Sequence, residues 1–433
     1  MRRILVVCPR FAPMNAPDQQ RIRVSLGHFE EFGWTPTVLA ITPETGDTII
    51  DPLLLEVLPR DVEISRVAAW NERICRRFGF GHLDYRSLIP LFRAGSKLLR
   101  AKKFEVIYFS TTAFTLFLLA PIWKRLFGCK IVFDFQDPWY REASVEYSSK
   151  TAPGGLIRYR LSQLIARFGE RFAISSADHI VSTSSAYKES LMQRYPTLSS
   201  DHFSVIPFGA APTDYELVAC KDIRQQIFDP SDGLVHWVYV GRGGPDMDPV
   251  LTAFFRNLAA FQSKQPDFVS RLKIHFVGTN YSPRDRTFRV VEPIAARHGI
   301  TELVEEHSER IPYFEALRVM SDSNAVLLIG SIGGDYTASK LLNCVLSKRP
   351  VLAIFHNESL VSKSAAQFPS VRLVTFSTDL ETSEFDSELR KALGWLASAN
   401  YSSSATNDEQ LIPFLAESLT KKQCEVFDRV IAR

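Results

Sequence analysis

Two glycine-bearing loops with a cation beside them are the first sign of chemistry in this chain. The run Gly330-Ser-Ile-Gly-Gly-Asp-Tyr-Thr-Ala-Ser-Lys-Leu-Leu-Asn-Cys-Val-Leu-Ser-Lys-Arg-Pro350 follows an apolar strand, Ala325–Ile329, and feeds a helix expected over Ser339–Lys348. Free backbone N–H groups at a helix start, with Lys340 next to them, suit a phosphate. Ser339 can serve there as the cap of the helix as well. The second loop, Gly241-Arg242-Gly243-Gly244-Pro245, sets a guanidinium at the end of another apolar strand. Neither loop reads GxGxxG, and neither does Pro9–Asp18 after the first strand, which counts against a nicotinamide or flavin enzyme. A third segment, Asp134-Phe-Gln-Asp137-Pro-Trp139, follows a buried strand, so its carboxylates are expected to emerge at the strand end. Asp137 can orient a hydroxyl or take its proton there, or act as a turn aspartate before proline.

The elements that must carry these loops alternate in type. Strands are expected at Arg3–Cys8, Thr37–Ile41, Val106–Phe109, Lys130–Phe133, His179–Val181 and Ser204–Pro207, with a helix over Gln19–Gly33. The second half repeats the pattern with strands at His236–Val240, Lys273–Val277, Val304–Glu306, Ala325–Ile329, Val351–Phe355 and Val371–Phe376. Helices fit between them at Asp248–Ser263, Arg286–Gly299, Tyr313–Asp322, Ser339–Lys348 and Ser359–Phe368. Such alternation predicts two doubly wound α/β domains with ligands at the strand carboxyl ends. The apolar segment Tyr108–Trp123 is shorter than a membrane span and reads as a buried crossover helix. Domain limits are expected at 1–208, 209–405 and 406–433, the last a helical tail returning to the first domain.

Composition agrees with a soluble globular protein. The chain has 433 residues, 45% apolar and 23% charged. Its six cysteines form no CxxC pair and its nine histidines no HExxH, so no disulfide framework or metal site is expected. Residues 1–210 hold 27 Lys+Arg against 20 Asp+Glu, while the remainder holds 24 against 28. A basic first half can be a solvated face or can lean on anionic lipid. No nucleic-acid motif accompanies it.

Taken in order, Ile4-Leu-Val-Val-Cys-Pro9, Val132–Trp139, Ala177–Ser184, Val205-Ile-Pro-Phe-Gly209, Val238–Arg242 and Ser339–Ala353 resemble a GT-B glycosyltransferase, most like family 4. The resemblance implies two Rossmann-like domains facing a cleft. It also implies transfer of a sugar from a nucleotide diphosphate-sugar to an acceptor hydroxyl with retained configuration. No cofactor and no metal would be needed. Gly241, Arg242, Asp335, Tyr336, Thr337, Ser339, Lys340 and Asn343 would bind the donor, with Arg310 near its base. Asp137, Arg242 and Lys340 would carry the catalysis. Arg10, Gln20 and Arg21 would meet the acceptor. The chain departs from the family in three places: no lysine follows Arg242, Asn343 stands for a carboxylate, and Ala16-Pro17-Asp18 stands for glycines. Cell-surface polysaccharide or glycolipid synthesis is the implied setting, with a saccharide or lipid-linked acceptor. A cytoplasmic protein is expected, peripheral at the inner face of the membrane. A sugar-nucleotide epimerase on the same fold and a non-catalytic GT-B binding subunit are the alternatives.

Overall fold

A computed structural model describes residues 1–44, 49–140, 156–280, 288–333, 340–377, 379–399 and 408–433. It divides into two units: Met1–Gly209 with Ala416–Arg433, and Ala210–Leu415.

Unit 1 is built on seven strands: β1 (Arg2–Val7), β2 (Trp34–Ile41), β3 (Glu63–Val67), β4 (Val106–Ser110), β5 (Lys130–Phe135), β6 (His179–Ser182) and β7 (Phe203–Val205). They lie in the order β3-β2-β1-β4-β5-β6-β7, and every pair is parallel. Runs such as Ile4–Val7 and Ile131–Phe133 are fully buried because helices cover both faces of a parallel sheet. One face carries α1 (Gln20–Ser25) and the C-terminal helix Ala416–Ala432. Phe427 of that helix meets Phe29, Trp34 and Tyr108, with ring centroids 5.1–6.3 Å apart. Asp428 accepts the Trp34 indole N–H at 2.9 Å. The other face carries α2 (Glu72–Arg77), α3 (Leu83–Ala101), α4 (Leu119–Phe127), α5 (Leu156–Ile174) and α6 (Ser185–Arg194).

Several expected elements differ. Glu63–Val67 is a strand that the sequence reading missed, because an edge strand with one wet face lacks a continuous apolar run. The long helix α3 was missed as well. Tyr108–Trp123 is not one helix: β4 runs to Ser110, a 3₁₀ turn spans Phe114–Leu118, and α4 starts at Leu119. The tail breaks at Leu415, whose extended ψ of 154° follows a 3₁₀ turn at Ile412–Phe414.

Unit 2 holds six strands: β8 (Val235–Val240), β9 (Leu272–Val277), β10 (Val304–His307), β11 (Ala325–Ile329), β12 (Val351–His356) and β13 (Val371–Phe376). Their order is β10-β9-β8-β11-β12-β13, again all parallel. Helices α7 (Pro212–Cys220), α8 (Asp248–Gln262), α9 (Glu292–Arg297), α10 (Tyr313–Asp322), α11 (Leu341–Leu346), α12 (Leu360–Ala365) and α13 (Ser383–Ser398) complete it. Helix α9 is shorter than expected: it starts beside Pro293, and the Glu306 carboxylate accepts the N–H groups of Val290, Val291 and Glu292. Helix α11 is also short, ending at Leu346; Lys348 adopts a left-handed φ of 58°. In each sheet the strand order reverses once, between β1 and β4 and between β8 and β11. Ligands of open α/β sheets bind outside the strand ends at such points.

Candidate functional site

In unit 2 the reversal point gathers cations. Strand β8 ends at Val240, and the next residues are tied down by the backbone. Gly241 N–H donates to Val277 at 2.9 Å and Gly243 N–H to Thr279 at 2.7 Å, while Tyr239 Oη donates to the Arg242 carbonyl at 2.8 Å. Lys340 reaches back to this turn, its ammonium donating to the Val240 carbonyl at 2.9 Å and lying 6.0 Å from the Tyr239 ring centroid. Burial pulls the Lys340 pKa down to about 8, and the positive charges of Arg310 and Arg242 push the same way. Arg242 and Arg310 are thus near enough to Lys340 to oppose its charge, and an anion placed there would relieve that repulsion.

The loops leave no room for larger residues. A Cβ on Gly241 would run into the Lys340 ammonium and the Tyr239 hydroxyl. One on Gly244 would lie 2.6 Å from the Arg242 guanidinium. That guanidinium forks onto Asp246 at 2.9 and 2.6 Å, and Ile332 N–H donates to the Asp246 carbonyl at 3.0 Å. Asp246 thus joins the two glycine loops. The sequence reading passed over it, although its place four residues after Arg242 was the available signal. Arg310 sits beside Gly278, which needs its positive φ of 73°.

Asn343 is on α11, half-buried. Its amide lies 3.4 Å from the Tyr313 hydroxyl, which donates to buried Asp214 at 2.8 Å. Its carbonyl accepts from Tyr215 Oη at 2.6 Å. Asp335, Tyr336, Thr337 and Ser339 lie outside the described residues.

In unit 1 the polar residues at the β1, β4 and β5 ends form a buried network. Asp18, 3% exposed, takes Arg10 at 2.9 Å, Thr111 Oγ1 at 2.7 Å and the Thr112 N–H at 3.2 Å. Asp134 does not emerge at the strand end as expected. It is fully buried, because Arg21 Nε at 2.8 Å, Ser110 Oγ at 2.7 Å and Gln136 Nε2 at 2.9 Å converge on one of its oxygens. Arg21 also donates to the carbonyls of Ile206 and Pro207. It therefore holds the β7 exit against the β5 end. Arg10 keeps a quarter of its side chain exposed, and Gln20 accepts from Arg23 Nε at 2.7 Å. Asp137 is exposed, three residues past Asp134.

Residues 26–213 match the family described as Glycosyltransferase Family 4. No curated protein matches the chain in sequence. Among solved structures, the chain superposes on an α,α-trehalose-phosphate synthase (UDP-forming) from Burkholderia vietnamiensis with TM-score 0.63 at 14% identity, covering 100% of this chain and 98% of that one. HepE of Anabaena, in complex with UDP, gives 0.57 at 12%, covering 99% and 100%. A glycosyltransferase from Rickettsia africae gives 0.55 at 12%, covering 99% and 98%. The chain thus has the two-unit GT-B fold of these structures, and its residues 26–213 are similar to Glycosyltransferase Family 4.

Proposed function

We propose that the chain transfers a sugar from a nucleotide diphosphate-sugar, held by unit 2, to an acceptor hydroxyl met by unit 1. The observation that carries this reading is the nearness of Lys340, Arg242 and Arg310 at the β8 end, a half-buried group of cations that a diphosphate can bridge. The UDP bound to HepE, and the UDP-glucose bound to it in another structure, support a nucleotide-sugar donor on this fold. Lys340 and Arg242 stabilise the charge that grows on the departing diphosphate, which is where fixed cations lower a barrier most. The Arg242 fork is held by Asp246 before the donor arrives, so the phosphates must share it. Asp137 orients the acceptor hydroxyl or takes its proton. Retention of configuration, a hexosyl donor and a role in polysaccharide or glycolipid synthesis belong to the same proposal.

The acceptor is proposed to be lipid-linked and met at an anionic membrane surface. No helix among the described residues is long and apolar enough to cross a membrane. The helical layer α2–α5 of unit 1 nevertheless turns large apolar side chains outward, among them Phe78 at 73% exposed and Phe168 at 65%. Arginines such as Arg73, Arg77, Arg167 and Arg171 are exposed around them, while the acidic residues of these helices are not: Asp84 and Glu170 are buried and Glu72 pairs with Arg76. An apolar face ringed by arginine suits an anionic lipid interface.

The test is a melting-temperature panel of UDP-, GDP-, dTDP- and ADP-sugars, followed by transfer to candidate acceptors. A donor that stabilises the protein, and loses that effect in Lys340→Ala, supports the proposal; if no nucleotide sugar shifts the melting temperature, the donor site is lost. Sedimentation with phosphatidylglycerol vesicles tests the membrane face separately, by comparison with Phe168→Glu. A second reading, binding without transfer, is favoured by the Arg242–Asp246 fork and by the amide at Asn343. Donor binding without turnover would select it, and interconversion of the donor sugar without acceptor would select an epimerase.

A further inference from the structure

One half-buried polar cluster in unit 2 takes no part in the donor loops. Strand β10 pairs with β9 so that Glu305 stands opposite His275, with His307 two residues on. Val238 of β8 stands opposite His275 in turn. Side-chain alternation therefore puts His236, His275, Glu305 and His307 on one face of three neighbouring strands.

Hydrogen bonding fixes how these rings carry their protons. Asp232 Oδ1 lies 3.0 Å from His236 Nε2, and His236 Nδ1 lies 3.0 Å from His275 Nε2. The Leu234 N–H and His236 hold Asp232 below the usual carboxylate range, so it only accepts. In this chain of hydrogen bonds His236 gives its Nε2 proton to Asp232 and accepts at Nδ1 from His275 Nε2. That leaves a lone pair on His275 Nδ1. This atom is buried without a hydrogen-bond partner, in a side chain 2% exposed, and faces Glu305 Oε2 at 3.4 Å. The ring nitrogen and the carboxylate oxygen thus face each other directly. His307 Nε2 is likewise buried and unpartnered. The ligand atoms of His275, Glu305 and His307 all lie within 4.8 Å of one another.

We propose that His275 Nδ1, His307 Nε2 and the Glu305 carboxylate bind a divalent first-row transition metal, with zinc the best fit. Two imidazoles and one carboxylate suit zinc better than magnesium or calcium, and leave a position for water. The His275 ring is 2% exposed and fixed in place by its neighbours. The Asp232–His236 relay orients it from behind, as second-layer carboxylates do for metal-bound histidines. Phe228 stacks on both rings at 4.3 and 5.1 Å and fixes their planes. Lys273 lies 3.5 Å from the other Glu305 oxygen and is itself held by the Glu302 carbonyl at 2.8 Å. A bound ion would tie edge strand β10 to β9. This site is independent of the donor reading.

The full-length protein, stripped with a chelator, is titrated with Zn²⁺ by calorimetry and with Co²⁺ by absorption. The expected result is one ion per chain, a higher melting temperature with zinc, and no effect of Mg²⁺. Glu305→Gln and His307→Ala, both at partly exposed positions, and Asp232→Asn in the relay are each expected to weaken binding by about tenfold or more, with circular dichroism confirming that they fold. Wild-type affinity in these variants would overturn the site, as would failure of zinc to bind. A thiolate-to-cobalt charge-transfer band, which would put the ion on a cysteine, would overturn it too.

Discussion

Replacing Lys340 with methionine should move stability and donor binding in opposite directions. The lysine titrates near 10.5 when unfolded and at about 8 when folded, chiefly because it is buried. That shift corresponds to about 3 kcal/mol against the charged form in the folded state. Loss of the bond to the Val240 carbonyl offsets about 1 kcal/mol. Lys340→Met should therefore stabilise unit 2 by about 2 kcal/mol at pH 7, or roughly 4–8 °C in a unit of about 200 residues. Below pH 8 both states of the wild type hold the proton and the whole penalty stands. Between 8 and 10.5 the folded state binds fewer protons, so wild-type stability rises with pH and the advantage of the variant fades. Donor binding should weaken by about tenfold to a hundredfold, the worth of a charge-assisted hydrogen bond. Scanning calorimetry from pH 7 to 10, with donor titration of both proteins, supplies the data. A variant that melts lower at pH 7 and keeps its donor affinity would show that Lys340 is a structural pin on Val240, and the reasoning would fail.

Gly241→Ala should weaken donor binding by about tenfold and cost about 1–3 kcal/mol, because its methyl displaces the Lys340 ammonium; calorimetry and melting curves measure both. Arg21→Met leaves Asp134 buried without its cation, and should destabilise unit 1 by about 3–5 kcal/mol in denaturant unfolding. Adding Asp134→Asn should recover part of that loss. Phe427→Ala empties the space between Phe29, Trp34 and Tyr108, at a cost of about 3–5 kcal/mol in the same assay. Asp137→Asn should lower kcat by about a hundredfold or more with donor Kd unchanged.

Much of the scaffold is legible in the sequence. Strands such as Ile4–Val7 and Ala325–Ile329 are apolar runs between turn residues, and a parallel sheet buried on both faces requires just that pattern. The glycine loops with Arg242 and Lys340 announce anion chemistry for the same local reason. Elements with mixed patterning were the ones missed. Strand β3 carries Glu63 and Arg66 along a wet edge, and α3 reads first as a basic segment.

The alternating α/β architecture and the cation-bearing loops are written locally, because strand burial and turn chemistry act over a few neighbouring residues. Which charges face each other depends on how the strands are ordered in space. The tertiary structure buries Asp134 against Arg21, 113 positions away in the chain, and closes the Arg242 fork on Asp246. It sets Lys340 against Val240, a hundred residues earlier. It aligns His275 with Glu305 across two strands, where no motif spacing could reveal them. Electrostatic energy depends on distance in space and on burial, and strand order, not chain order, sets both.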